Sequence, residues 1–214
     1  MTSTNTTLAA TRLMSEFAST TTSADVPADV STASETGVAD VIGSVIGGSC
    51  DSAVDRVAAA LLACGLDGDI GVLGRRESLS PYASAMLTGA AAMVGGRAVA
   101  EPGIAVVAAA LVVAQASGAS GEAVVTAVAV GTEVASRIGA ALGVVHPGRG
   151  WDVSGTLGVV GAAAAAGSLA RLSSAHMHHA LALAATQAAG HRAQAGTTTA
   201  SLHAGKAAAD GIEA

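Results

Sequence analysis

The apolar residues of this chain recur mostly at intervals of three or four positions, which is the spacing of an α-helix with one buried face. The segment after Pro27 shows this clearly, with apolar residues at positions 30, 38, 41, 42, 45 and 46. No run alternates apolar and polar residues over the length of a convincing strand. The pattern therefore predicts an all-α protein, a helical bundle.

Turn-forming residues divide this pattern into separate helices. After the helix that ends near Gly48, we predict helices over residues 55–64, 81–92, 104–116, 121–142, 156–169, 174–190 and 201–214. Ser154 or Gly155 is the expected N-cap of the helix that begins at Thr156. Only "GLDGDIGVLGRRESLSP" has the character of turns and short extended pieces.

The N-terminal residues differ in composition from the rest of the chain. Residues 1–23 are rich in serine and threonine, and we expect a polar, loose segment there, with a short helix over residues 8–18. We predict one helical domain over residues 1–214.

The composition favours close packing of small side chains and a covered surface. Hydrophobic residues make up 51% of the chain, but Phe17, Tyr82 and Trp151 are its only aromatics. Charged residues make up 12%, against about 25% in ordinary soluble domains. We therefore expect a homodimer or a hetero-oligomer that associates through helical surfaces.

The charge and hydropathy patterns exclude several classes of partner. The net charge is −6, and no basic stripe or aromatic platform for nucleic acid is present. The longest apolar runs are interrupted by Gly, Ser or Gln before they reach the roughly 20 residues of a membrane span. The N-terminus lacks the charged and apolar regions of a signal peptide. We predict a cytoplasmic protein with no membrane partner and reduced cysteines.

The common cofactor and nucleophile motifs are absent from the sequence. There is no GxGxxG, no phosphate-binding loop and no GxSxG. His176 and His179 stand one helical turn apart in "HMHH" and could ligate a metal, but their spacing also suits a solvated helix face, which we favour. We predict no metal and no cofactor.

Three glycines in "GTLGVVG" interrupt a predicted helix at intervals of three: Gly155, Gly158 and Gly161. A helical glycine costs about 1 kcal/mol relative to alanine, so some contact has to require it. We favour close approach between helices over anion binding at the helix N-terminus. His203 and Lys206, in "SLHAGKAA", could be catalytic, but isolated residues of these types beside apolar runs are more often structural or solvated.

Several segments in a fixed order resemble the MmgE/PrpD family. They are "SPYASAMLTGAAA", "GEAVVTAVAVGTEVASRIGAAL", "GWDVSGTLGVVGAAAAAGSLARL", "MHHALALAATQAAG" and "SLHAGKAAADGIEA". The family includes 2-methylcitrate dehydratases, cis-aconitate decarboxylases and related lyases and isomerases of small polycarboxylic acids. The resemblance implies the family's large, dimerising helical domain. The α/β lid domain that follows it in the family, across the active site, has no counterpart in this sequence.

The sequence departs from the family pattern where the resemblance places catalytic residues. Glu101 stands where the family has a His before Pro-Gly, and Asp152 replaces the His of a Gly-aromatic-His motif. Ser154 replaces a Thr of the same motif. Ala200 replaces a Lys before Leu-His, whereas His203 is kept. We therefore do not assign the family's polycarboxylate chemistry to this chain from the resemblance alone.

Three functional hypotheses remain open. The first is a divergent lyase or isomerase, of dehydratase or decarboxylase type, acting on a small carboxylic acid or related metabolite. Its catalytic candidates are Asp152 and His203, and its substrate-binding candidates are Trp151, Ser154, Thr156 and Glu101. The second is a non-catalytic helical subunit, which needs another chain for the lid and the missing residues. The third, weaker, is a pocket that guides the cyclisation of an apolar metabolite.

Overall fold

The computed structural model describes residues 2–96 and 103–214, and its secondary structure is almost entirely helical. This part of the chain forms ten α-helices and one short antiparallel hairpin. They are α1 (Thr2–Thr20), α2 (Ala28–Gly48), α3 (Ser52–Ala63), β1 (Asp67–Gly71), β2 (Ser78–Leu79), α4 (Pro81–Gly95), α5 (Gly103–Ser117), α6 (Gly121–Leu142), α7 (Val145–Gly148), α8 (Val153–Leu169), α9 (Ser174–Thr186) and α10 (Ser201–Glu213). The all-α prediction is confirmed, and the hairpin lies in the stretch predicted to form turns and extended pieces.

Helix α8 is the centre of the bundle, packed mainly against α5, α6 and α10. Residues 154–167 are all buried, which only small side chains allow on every face of a helix. A Cβ added to Gly161 would lie 2.8 Å from the carbonyl oxygen of Gly131 on α6. The glycine therefore permits a close helix contact, as its spacing predicted.

A second contact of this kind joins α4 to α10. A Cβ on Gly89 would lie 2.7 Å from the Cα of Gly205, and a Cβ on Gly205 would lie 2.3 Å from the carbonyl oxygen of Met86. Further along α10, a Cβ on Gly211 would lie 2.5 Å from the Cβ of Ala162 on α8. Helix α10 is thus held between α4 and α8, and this packing determines where His203 and Lys206 lie.

The N-terminal helix is longer than the predicted one over residues 8–18, and it includes flanking residues that were expected to be loose. Helix α1 already begins at Thr2 and continues to Thr20. Ser15 and Thr20 donate their hydroxyl hydrogens to carbonyl oxygens four residues earlier, at 2.7 and 2.8 Å, so these side chains are satisfied within the helix. Ser15 and Ala18 are buried, and α1 packs mainly against α9.

Among the described helices, α6 alone is long and apolar enough to cross a membrane by length and composition. Half of its most apolar window is buried inside the protein, against α8 and neighbouring helices. This burial is that of a core helix in a bundle. The cytoplasmic location stays a prediction.

Candidate active site

The site begins at the N-terminus of α8, which Asp152 caps. Its Oδ1 accepts the backbone N–H of Gly155 at 2.8 Å, and its carbonyl oxygen accepts the N–H of Thr156 at 3.1 Å. The prediction that Ser154 or Gly155 is the cap is therefore wrong. The helix starts earlier because the Asp152 carboxylate satisfies one of the free N–H groups of the first turn.

The structure brings both predicted catalytic residues together. Nδ1 of His203, on α10, lies 3.4 Å from Oδ1 of Asp152, and the side chains are 12% and 16% exposed. The contact is at ion-pair distance but does not have hydrogen-bond geometry, so this buried Nδ1 has no hydrogen-bond partner among the described residues. A small movement of the His203 ring would make the hydrogen bond, and catalytic contacts often tighten in this way when substrate binds.

Gly190 makes room for this pair of side chains. A Cβ at this position would lie 3.0 Å from the Cβ of Asp152 and 3.5 Å from Cγ of His203. Its φ of +131° is a conformation that residues with a Cβ rarely adopt. The carbonyl oxygen of Gly190 also accepts the N–H of Asp152 at 3.1 Å. The loop that follows α9 therefore contacts both the start of α8 and α10.

Two histidines stack on the only tryptophan of the chain. The Trp151 and His191 rings are 5.5 Å apart at 16°, and the Trp151 and His146 rings are 6.3 Å apart at 12°. Trp151 and His191 also form a backbone bridge, flanked by the hydrogen bond from the N–H of Arg192 to the carbonyl oxygen of Gly150. The indole therefore contacts both imidazole rings while 39% of it stays exposed.

Two cavities lie beside these residues. The first, of about 290 Å³, has His203, Lys206 and His191 in its wall, and we call it the dyad cavity after the pair of Asp152 and His203. The indole cavity, about 510 Å³, has Trp151 and Thr156 in its wall. The predicted substrate-binding residues are therefore not all beside the catalytic pair.

Ser154 and Glu101 are the other two predicted substrate-binding residues, and neither is among the described residues that line the two cavities. Ser154 is 1% exposed, and its Oγ has no hydrogen-bond partner in the described part of the chain. It belongs to neither cavity wall. Glu101 lies outside the described residues.

A polar cluster on α10 was not recognised as a unit in the sequence. Lys206, the only lysine of the chain, lies in the wall of the dyad cavity and forms an ion pair with Asp210. Asp210 is 3% exposed, and its other oxygen accepts the Tyr82 hydroxyl at 3.3 Å. Burial, and then the charge of Asp210, raise the pKa of Tyr82 to about 12. The Lys-x-x-x-Asp spacing was a readable signal for the ion pair, but nothing local predicted Tyr82.

The histidines of α9 do not form a larger metal-binding group. His176 and His179 are exposed on the helix surface. Within residues 2–96 and 103–214, no three side chains of His, Cys, Asp or Glu come together in a way that could hold a metal ion.

Fold and site together define a helical-bundle domain in which a pocket with His203 and Lys206 in its wall lies at the N-terminal end of the central helix. The family model of the MmgE/PrpD N-terminal domain matches residues 12–214, and the chain belongs to this family. A search of curated proteins found no match to the chain. The resemblance of these residues to the N-terminal helical domain of the family is confirmed.

Proposed function

We propose that this chain is a divergent lyase or isomerase, of dehydratase or decarboxylase type, acting on a small carboxylic acid. The reaction begins when His203 removes a proton from the carbon next to a carboxylate. The observation that carries the proposal is the contact of His203 with Asp152 beside the dyad cavity. Membership of a family of such enzymes supports the reaction class.

In this proposal His203 is the general base, and Asp152 orients it. The Asp152 carboxylate favours the form of His203 that carries its proton on Nδ1, facing Asp152, which leaves Nε2 free to accept the substrate proton. Asp152 also stabilises the imidazolium that results. Lys206, in the same cavity wall, supplies positive charge for the substrate carboxylate, and Asp210 holds it there.

Proton exchange tests this proposal without requiring the net reaction. The chain is incubated in deuterated water with small carboxylic acids that include cis-aconitate and 2-methylcitrate, and deuterium incorporation is followed by NMR. Because loss of one general base typically slows a reaction about 10²–10⁴-fold, His203→Gln and Asp152→Asn are expected to slow exchange by that range. His179→Gln, on the exposed surface of α9, is the matched control. If both variants exchange deuterium at the rate of the unmodified chain, the assignment of His203 as the base and of Asp152 as its partner is wrong.

A specific observation also favours the second hypothesis, a non-catalytic helical subunit. Asp152 already has a structural role as the cap of α8. Large apolar side chains are also left exposed, among them Leu13 at 64% and Val144 at 86%. Such side chains suit a homodimer or a hetero-oligomer. Purification from the native host, with mass measurement of the complex, would support this alternative if a stoichiometric second polypeptide accompanies a chain without exchange activity.

A further inference from the structure

The indole cavity has no part in the proton transfer proposed above, and it shares no lining residue with the dyad cavity. Its volume of about 510 Å³ is within the usual range of small-molecule sites, about 300–1,000 Å³. Four helices supply its apolar walls: Met14 comes from α1, Ile138 from α6, Leu157 from α8 and Leu181 from α9.

One hydrogen-bond chain fixes the position of the proton on His146, which lies in the wall of this cavity. The Thr156 hydroxyl donates its only hydrogen to the carbonyl oxygen of Asp152 at 2.6 Å. Its oxygen, 2.7 Å from Nε2 of His146, therefore accepts a hydrogen from that nitrogen. In the neutral His146 ring this leaves Nδ1 as an acceptor, and no partner for Nδ1 is found among the described residues.

The lining also constrains the charge of an occupant. No Asp, Glu, Lys or Arg is among the residues that line the cavity. A charged molecule would lose its hydration there without gaining an opposite charge, which is costly. The other polar side chains of the wall, besides His146 and Thr156, are Thr11 and His178. A neutral, mostly apolar molecule matches such a wall, and one hydrogen-bond donor on it would pair with the acceptor nitrogen of His146.

We propose that the indole cavity binds a compact, uncharged, mostly apolar small molecule that carries one hydrogen-bond donor. The donor binds Nδ1 of His146, and the apolar body lies against Trp151 and the four helices. Leu142 and Val145 are 43% and 55% exposed, and Leu142 lies in the cavity wall. A second copy of the chain could also cover such a surface, but the concave shape between four helices fits a small molecule better.

The test uses Trp151, the only tryptophan, as a reporter inside the site. The 214-residue chain is titrated with 1-adamantanol, which does not absorb the exciting light, and the indole emission is recorded. We expect saturable quenching or a spectral shift. Because the methyl ether, 1-methoxyadamantane, lacks the donor hydrogen, it is expected to bind about five- to tenfold more weakly.

A pair of variants on α9 locates the binding. Ala185 is exposed and lies in the cavity wall, whereas Ala175 is exposed and does not. Ala185→Phe occupies the cavity and is expected to raise Kd about tenfold or more. Ala175→Phe makes the same change on the same helix, and it is expected to leave Kd within about twofold. Unfolding curves confirm that both variants fold.

Three outcomes would overturn the proposal. One is no change in indole emission up to the solubility limit of 1-adamantanol. Another is equal binding by Ala185→Phe and Ala175→Phe, which would place the alcohol elsewhere. The third is emission that depends on protein concentration and not on the alcohol, which would make this surface a contact between copies of the chain. None of these readouts depends on the proton-transfer activity.

Discussion

The centre of α8 and its first turn are built in opposite ways. At the centre, Gly161 and Gly131 bring two backbones so close that neither position has room for a Cβ. At the first turn, Asp152 faces His203, and two cavities adjoin the surrounding residues. The centre contains almost no group that could react, whereas the first turn combines a carboxylate, imidazoles and open space.

This difference separates what the bundle requires from what its chemistry can vary. Close packing at the centre tolerates only residues of nearly the same volume. At the first turn, the Asp152 carboxylate both caps α8 and lies next to His203, so one side chain serves the helix and adjoins the candidate site. Substitutions at the first turn are therefore expected to destabilise the protein less than substitutions at the centre of α8.

The largest expected effect comes from adding one methyl group at the centre. The Cβ of Gly161→Ala would lie 2.8 Å from both the Gly131 carbonyl oxygen and a methyl carbon of Val106, so two helices have to separate. We expect the free energy of unfolding to fall by about 2–3 kcal/mol, measured by urea denaturation.

Gly43→Ala is the control for this change, in the middle of α2. A Cβ at Gly43 would meet nothing within 4 Å. The same methyl group is expected to raise stability there by about 0.5–1 kcal/mol, because alanine favours the helix. Equal effects at Gly161 and Gly43 would contradict the account of the centre of α8.

A smaller effect is expected at the first turn. Asp152→Ala removes the N-cap and should lower the free energy of unfolding by about 1 kcal/mol. Asp152→Asn keeps an oxygen that can accept the N–H of Gly155, so it should cost only a few tenths of a kcal/mol, roughly. If both variants lose the same stability, the charge contact with His203 rather than the cap stabilises this turn.

The smallest expected effect is a change in the pKa of Tyr82 when the buried carboxylate of Asp210 is removed. Burial and then Asp210 raise the pKa of Tyr82 from 10.0 to about 12. Because the folded pKa is the higher one, the associated stability is complete below pH 10.0 and is lost as the pH rises through about 12. In Asp210→Asn the pKa should fall but remain above 10.0, since burial is the larger cause.

This titration can be read directly because Tyr82 is the only tyrosine. Its ultraviolet absorbance after rapid mixing gives the pKa before the chain unfolds at high pH. An unchanged pKa in Asp210→Asn would mean that Asp210 does not act on the phenol.

The sequence predicted the helices and the close glycine contact well, because both arise from local spacing. The Gly161 contact needed only the rule that a buried helix contains glycine where a neighbour approaches. Helix α1 was predicted too short because serine and threonine resemble loop residues, whereas the Ser19 and Thr20 hydroxyls donate to the carbonyl oxygen of Glu16 in their own helix.

The site was predictable only in part. Asp152 and His203 could be named from family positions, but their contact depends on the docking of α10 against α8 and on the space left at Gly190. The separation of Trp151 from the dyad cavity likewise depends on how the chain after α9 crosses the start of α8. No spacing in the sequence records such long-range packing.

The central claim is that Asp152 orients His203 as a base, and ¹⁵N NMR of the imidazole tests it most directly. Comparison with His203→Gln assigns the signals. In the neutral ring the account predicts a proton on Nδ1, with Nε2 free, and a shift toward the Nε2–H form in Asp152→Ala. A neutral His203 that carries its proton on Nε2 in the unmodified chain, unchanged by Asp152→Ala, would contradict the claim.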